Sequence, residues 1–113
     1  MSGPGKRPLA YKFEVWLAAL DPVVGSEIAK TRPVVIISPD EYNRHLNTVL
    51  AAPLTSSQKR YLSRIPIKFQ NKSGEVALDQ IRSIDRLRLI KYLGTVDSET
   101  AASIQQTLLA YFA

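Results

Sequence analysis

Residues 15–38 read VWLAALDPVVGSEIAKTRPVVIIS, two apolar runs separated by a polar segment. The first run covers residues 13–20 and stops at an Asp-Pro pair, which predicts a strand followed by a loop. The second run covers residues 33–38 and predicts a buried strand. Because Pro33 biases the preceding residue toward extended backbone, we expect Arg32 at the mouth of this second strand.

The rest of the chain carries short extended segments and ends in one amphipathic helix. A short helical turn is predicted at residues 40–44, and further strands at 48–54, 64–69, 75–84 and 92–96. From Asp97, a favourable N-cap, apolar residues recur at helical spacing to the C-terminus. This order predicts a mainly β fold, in which a strongly curved antiparallel sheet or barrel packs against a C-terminal α-helix.

The segment 64–69 shows a clean alternation of side-chain character. Its odd positions are apolar and are predicted to face inward, whereas Arg64, Pro66 and Lys68 are predicted to face outward. A turn at residues 71–74 then leads into residues 75–84, which are predicted as one continuous strand.

The composition excludes several kinds of site. The chain has no cysteine, which excludes disulfides, thiolate metal sites and cysteine nucleophiles. His45 is the only histidine, so one subunit cannot hold a histidine pair, and His45 itself is expected to be structural. We therefore expect no metal and no cofactor, and any catalysis must use arginine, carboxylate and hydroxyl groups.

The charge balance favours a polyanionic partner. The net charge is +5, which suits a nucleic acid, although an ordinary basic surface would give the same count. The length of 113 residues fits one domain, predicted at 11–113 behind a flexible tail at 1–10. No apolar run approaches the ~20 residues of a membrane span, and no export signal is visible, so a cytoplasmic protein is expected.

Three segments, taken in order, resemble the MazF/PemK (Kid) toxin family. The first is the stretch at residues 15–38. The second is APLTS at 52–56, and the third is VALDQIRSID at 76–85, followed by Gly94. The resemblance covers about residues 13–113, and it implies a small SH3-like antiparallel β-barrel of the CcdB/Kid type with a C-terminal helix.

The resemblance also implies a function. It indicates a sequence-specific, metal-independent endoribonuclease, an mRNA interferase of a type II toxin-antitoxin system that cleaves single-stranded RNA by attack of the 2′-hydroxyl group. Such a toxin would form a homodimer and be neutralised by a cognate antitoxin. Two other functions are compatible with the sequence: a non-enzymatic gyrase poison of the CcdB kind, and a basic nucleic-acid-binding module without catalysis.

Three residues are candidates for catalysis, and the resemblance supports Arg32 and Thr55 among them. Arg32 would neutralise the phosphoryl oxygens, and the alternative is a surface salt bridge with Glu27 or Asp21. Thr55 would hold the scissile phosphate, or would only form a turn. Glu27 would act as the base, or would tether a neighbouring cation. One branch of the family has a histidine where this chain has Ser26, so the mechanism that uses an arginine and a threonine is implied.

The other candidates are polar or basic residues that would contact RNA. They are Ser26, Lys30, Ser56, Lys59, Arg60, Arg64, Asp79, Gln80 and Arg82. The basic members near residue 60 would follow RNA phosphates, or would form a solvated loop. Asp79 and Gln80 would hydrogen-bond unstacked bases, whereas the competing interpretation has Asp79 holding a neighbouring loop. Trp16 is expected to belong to the core.

Overall fold

A computed structural model describes residues 6–20 and 30–113, and everything below refers to these residues. They contain seven strands: β1 (Glu14–Ala19), β2 (Thr31–Ile36), β3 (Thr48–Thr55), β4 (Arg64–Phe69), β5 (Lys72–Ala77), β6 (Arg82–Asp85) and β7 (Leu89–Thr95). The helices are α1 (Asp40–His45) and α2 (Ser98–Tyr111), and short 3-10 turns occupy Leu78–Gln80 and Arg86–Arg88.

The strands form one curled antiparallel sheet in the order β4-β5-β3-β2-β1-β7, with β6 beside β3. The first half of β3 pairs with β6, from Thr48 opposite Asp85 to Ala51 opposite Arg82. The end of β3 pairs with β5 instead, with Thr55 opposite Glu75. The predicted fold class, a small antiparallel β-barrel with a C-terminal helix, is confirmed.

Two apolar clusters lie on opposite sides of the sheet. Side chains alternate along a strand, so the apolar run of β2 supplies both clusters: Val34 and Ile36 to one, Val35 and Ile37 to the other. Ile104 of α2 is fully buried in the second cluster. Trp16 packs against the first cluster, as expected for a residue of the core.

The C-terminal helix begins as the sequence predicts. The Asp97 side chain accepts a hydrogen bond of 2.7 Å from the Thr100 N–H, which satisfies one donor of the first helical turn. The same contact lowers the pKa of Asp97. No helix in the described part of the chain has the length and apolarity to cross a membrane.

Two predictions about local structure are wrong. The predicted strand at 75–84 is interrupted by the 3-10 turn at Leu78–Gln80, after which β6 pairs with β3 instead of continuing along β4. The turn between β4 and β5 consists of Gln70 and Asn71, which have φ angles of 52° and 63°, as a two-residue hairpin requires. Gly74, placed in this turn by the sequence, lies inside β5.

Residues 7–10, which fall within the tail predicted at 1–10, contact the barrel. Arg7 donates to both carboxylate oxygens of Asp85 at 2.8 and 2.9 Å. Arg86 donates to the Pro8 carbonyl at 2.7 Å, and Ala10 is buried in the first apolar cluster. Residues 1–5 lie outside the described residues.

The Arg7–Asp85 pair makes stability dependent on pH. The hydrogen bond from Arg7, with a second from the Leu87 N–H, lowers the pKa of Asp85 from 3.8 to about 2. A carboxylate with a lowered pKa stabilises the folded state above its unfolded pKa, and this contribution is lost as the pH falls toward the folded value. The free energy of unfolding of the original protein should therefore exceed that of Asp85→Asn by a constant amount above about pH 5, and the difference should shrink as the pH falls from there toward 2. Chemical denaturation of both proteins across this range measures it, and a difference independent of pH would contradict the assignment.

Gly74 allows β5 to approach the end of β3. A Cβ added at Gly74 would overlap the Thr55 carbonyl oxygen, a backbone atom that cannot rotate away. We expect Gly74→Ala to lower the free energy of unfolding by about 1–3 kcal/mol, the usual cost of overpacking. Urea denaturation measures the loss, with Ser73→Ala, at the exposed neighbouring position, as the control. Equal stability of Gly74→Ala and the original protein would contradict this role.

Candidate functional site

The start of β2 and the end of β3 meet at one end of the sheet. The register of these antiparallel strands pairs Val34 with Pro53. Extending this register by two residues places Arg32 of β2 opposite Thr55 of β3. Both residues line the same groove, so strand pairing brings together two side chains that are distant in sequence.

The groove that holds Arg32 and Thr55, called here the central groove, combines charge, hydroxyl groups and apolar surface. Its cations are Arg32 and Lys72, and the apolar part comes from Pro33, Leu54, Ile67 and Phe69. Ser56 and Ser73 add hydroxyl groups. Cations can neutralise a phosphate while apolar and aromatic surfaces contact a base, so the lining suits a nucleotide chain.

A second depression adjoins the central groove and shares Thr31 and Arg32 with it. It brings together three further residues predicted to contact RNA, Lys30, Gln80 and Arg82. Three basic side chains, including Arg32, therefore line one small surface. Such a concentration of positive charge attracts anions.

A third depression adjoins the central groove on its other side and shares Ile67, Ser73 and Gly74 with it. It contains Arg60, another predicted RNA contact, and Lys68. Lys30 and Arg82 thus line one end of this surface and Arg60 lines the other, with Arg32 and Thr55 between them.

The hydroxyl group of Thr55 takes part in a tight turn. Its Oγ1 accepts a hydrogen bond of 3.1 Å from the Ser57 N–H and lies 3.0 Å from Ser57 Oγ. This contact corresponds to the turn-forming role considered for Thr55. It also fixes the hydroxyl group at the edge of the central groove, where a phosphate could be held.

Arg64 is the clearest difference from the sequence predictions. Its side chain is only 5% exposed, so the expectation that it faces solvent is wrong. The guanidinium donates to Asp79 at 2.7 and 3.3 Å and to Glu75 at 3.2 Å, and it lies over the Tyr61 ring. The alternation of β4 identifies a face of the strand, but two carboxylates from the following segment cover Arg64 on that face.

The ionisation of these three groups reflects their pairing. The hydrogen bond with Asp79 is the main cause that raises the pKa of Arg64. The same bond lowers the pKa of Asp79. Burial alone would raise the pKa of Glu75, but the Arg60 and Lys59 N–H groups and the Arg64 guanidinium together lower it. All three groups are therefore charged at neutral pH.

Asp79 and Gln80 lie in the 3-10 turn that follows β5, and the prediction that they lie on a strand is wrong. Asp79 accepts a hydrogen bond of 3.0 Å from Ser63 Oγ as well as those from Arg64. Its contacts correspond to the competing interpretation, in which it holds a neighbouring loop. Gln80 is exposed and faces the second depression.

Some candidates cannot be placed relative to the groove. Ser26 and Glu27 lie outside the described residues, as does Asp21, which was considered as a partner of Arg32. His45 is the last residue of α1 and is exposed. Within residues 6–20 and 30–113, no three acidic or histidine side chains converge as metal ligands would.

The structure also adds groove residues that the sequence analysis did not single out. Lys72 and Phe69 flank the two-residue turn between β4 and β5 and line the central groove. Glu75 lines the third depression. A sequence prediction that placed the hairpin turn directly after Phe69 would have brought these residues next to Thr55, because β5 pairs with the end of β3.

Known proteins are similar to this chain in sequence and in fold. The chain is 30% identical to the endoribonuclease EndoA of Bacillus subtilis (strain 168) over 103 residues, which cover 84% of this chain and 87% of that protein. The name of that relative agrees with the activity predicted from the sequence.

Solved structures share the fold. A MazE-MazF crystal structure from Deinococcus radiodurans is similar with a TM-score of 0.80 and 25% identity, over 93% of this chain and 96% of that one. An endoribonuclease from a mycobacterial species, in complex with its cognate antitoxin, has a TM-score of 0.76 and 23% identity, over 91% and 94%. The latter supports the fold alone.

Residues 11–112 match the family described as the PemK-like, MazF-like toxin of type II toxin-antitoxin systems. This match covers nearly the whole chain and includes β1 through α2. The family predicted from the sequence is therefore confirmed, and the chain belongs to the PemK-like, MazF-like toxins of type II toxin-antitoxin systems.

Proposed function

We propose that this toxin cleaves single-stranded RNA at the central groove without a metal ion. The observation that carries the proposal is the convergence of Arg32 and Thr55, which lie at the adjoining ends of β2 and β3 in one groove. A guanidinium and a hydroxyl group so placed can bind the two sides of one phosphodiester.

The reaction uses the substrate's own 2′-hydroxyl group as the nucleophile. A bond forms between the 2′-oxygen and phosphorus while the bond from phosphorus to the 5′-oxygen breaks, and the products are a 2′,3′-cyclic phosphate and a 5′-hydroxyl. The 2′-hydroxyl loses a proton, charge develops on the phosphoryl oxygens, and the leaving 5′-oxygen gains a proton. Each of these changes requires a group of the protein or water.

Arg32 stabilises the charge on the phosphoryl oxygens. Its planar guanidinium presents several donors in a fork that matches the oxygens of a phosphate. The Thr55 hydroxyl group, held by Ser57, fixes the position of the phosphate. Glu27, in the segment between β1 and β2, is the proposed proton acceptor, and a carboxylate suits this task because the chain offers no histidine pair.

The RNA follows the continuous surface on both sides of Arg32. Lys30 and Arg82 bind phosphates in the second depression, where Gln80 contacts a base. Ser56, Lys59 and Arg60 act on the other side. The protein recognises the bases of single-stranded RNA, because only unstacked bases expose their hydrogen-bonding edges. Ser26 is proposed to contact RNA beside Glu27. We assign Arg64 and Asp79 to the fold instead, since their charged groups are bound to each other.

The proposed partners are a second copy of the chain and a cognate antitoxin, both in the cytoplasm. The similar Deinococcus radiodurans structure contains MazE together with MazF, which supports an antitoxin partner here. The positive groove favours an acidic segment of that partner, since the same cations would bind carboxylates. The endoribonuclease relative favours RNA cleavage over the gyrase-poison function.

The nucleophile is tested with a substrate lacking one hydroxyl group. Cut sites are first mapped on a long unstructured RNA in EDTA, without gyrase, and a short oligonucleotide spanning one site is made with a 2′-deoxy nucleotide immediately 5′ to the scissile phosphate. We expect this oligonucleotide to bind and to resist cleavage, whereas the all-ribose oligonucleotide is cut. Normal cleavage of the deoxy substrate would exclude the 2′-hydroxyl as nucleophile, and activity that is lost in EDTA and restored by a divalent ion would contradict metal independence.

The role of Arg32 is tested by substitution. We expect Arg32→Ala to fold and to cleave about 10²- to 10³-fold more slowly at saturating RNA, the loss typical when one transition-state donor is removed. Arg32→Lys should remain substantially impaired, because it keeps the charge but loses the planar fork. Arg44→Ala, an equal change on the exposed surface of α1, is the control and should cleave normally. Cleavage by folded Arg32→Ala at the original rate would remove Arg32 from the active site.

A further inference from the structure

Glu75 makes an unusual set of contacts beside the central groove. One carboxylate oxygen accepts a hydrogen bond from the Lys59 N–H and the other accepts one from the Arg60 N–H, each of 3.0 Å. The first oxygen also accepts the Arg64 guanidinium at 3.2 Å. The side chain is only 3% exposed. Glu75 therefore connects β5 to the loop of residues 56–63, which leads from β3 to β4.

The backbone that Glu75 holds is strained. Arg60 has a φ of 59°, a left-handed conformation that is unfavourable for a residue with a side chain. A hydrogen bond to a charged acceptor is strong enough to offset this cost, so the carboxylate can maintain the conformation. The conformation of Arg60 in turn sets the direction in which its side chain leaves the loop, and that side chain lines the third depression.

The loop begins at the proposed active site. Thr55 is the register partner of Glu75 in the pairing of β3 with β5, and the third depression shares three residues with the central groove. Arg60 is therefore placed next to the path of an RNA chain that crosses Thr55. A guanidinium at this place can bind a phosphate neighbouring the one that is cut.

We propose that Glu75 is a positioning residue for RNA binding, which acts through Arg60 by fixing the left-handed backbone that directs the Arg60 guanidinium to a neighbouring RNA phosphate. The inference rests on the proposed function, because it takes RNA as the ligand. Glu75 itself does not contact RNA, since both of its oxygens are occupied by the protein.

The loss of a negative charge and the loss of the Arg60 position have opposite effects on RNA binding. Glu75→Gln removes a negative charge near a groove that binds a polyanion, and by attraction alone it should strengthen RNA binding. The positioning role predicts the opposite, because glutamine replaces one of the two acceptor oxygens by an NH2 group, which is a donor and cannot receive the backbone N–H group that it would face. The fold should survive the change, since Arg64 keeps its two hydrogen bonds with Asp79.

The experiment measures binding of the 2′-deoxy oligonucleotide, which separates binding from cleavage. The proteins compared are the original, Glu75→Gln, Arg60→Ala, the double variant and Asp85→Asn, each at several salt concentrations. Asp85→Asn is a matched control, because it also removes one arginine-paired carboxylate, at the far end of β3, about 23 Å away along the strand.

We expect Glu75→Gln and Arg60→Ala each to raise the dissociation constant about 10-fold, the effect of losing one charge-assisted hydrogen bond. Both substitutions should also weaken the salt dependence of binding. The slope of the logarithm of the binding constant against the logarithm of the salt concentration should fall by the amount that about one phosphate contact contributes. The double variant should bind no worse than Arg60→Ala, since two residues that act through one contact are not additive. Asp85→Asn should bind as the original protein does.

Three results would overturn the inference: tighter binding by Glu75→Gln, unchanged binding by Arg60→Ala, or additive losses in the double variant. Should Glu75→Gln fail to fold, amide hydrogen exchange of the original protein decides the matter. Protection of the Lys59 and Arg60 amides from exchange supports their hydrogen bonds to Glu75. Exchange of these amides at the rate of an unstructured peptide overturns the inference. An original protein that neither binds nor cuts RNA would instead refute the proposed function.

Discussion

The arrangement of the whole sheet depends on β3, because this strand pairs with β2 along one edge and divides its other edge between β6 and β5. Each of the two strands on the divided edge is tied to only part of β3, so the sheet can twist and curl around it. Apolar side chains then fill both sides of the curl. The pairing of β3 with β2 ends at Pro53, and the central groove opens beyond this pair, beside Thr55.

Most of the fold could be predicted because its strongest signals are local. The continuous apolar run that contains β2 is buried on both faces, and Asp97 caps α2 through a contact within the same turn. The interruption at Leu78–Gln80 could not be predicted, because the sequence around it keeps the mixture of apolar and polar residues typical of a strand. Tertiary contacts bend the chain there, because Leu78 is buried in the core and Asp79 accepts a hydrogen bond from Arg64 of β4. The turn at Gln70 and Asn71 contains no glycine, so nearby Gly74 was the stronger signal.

The candidate site was predictable in part for a similar reason. The resemblance identified Arg32 and Thr55, but only the register of β2 and β3 shows that they share a groove. Arg64 was misplaced because alternation along a strand specifies a face and says nothing of what covers that face. Two carboxylates distant in sequence bind its guanidinium, so its charge serves the fold. The role of Glu75 depends on backbone N–H groups, which a sequence does not display.

The pairing of these carboxylates also affects the field of the groove. A surface that binds a polyanion must keep negative charge away from it or neutralise that charge, since repulsion between nearby like charges opposes binding. Glu75 lines the third depression, yet its charge is opposed by Arg64 and by two N–H dipoles. Asp79, one residue before Gln80, is likewise bound to Arg64. The Arg64 cation therefore offsets one of these two negative charges, while Arg32 and Lys72 line the central groove and Lys30 lines the second depression. One buried arginine thus lets a carboxylate hold the loop while it partly offsets the negative charge that this carboxylate brings beside the central groove.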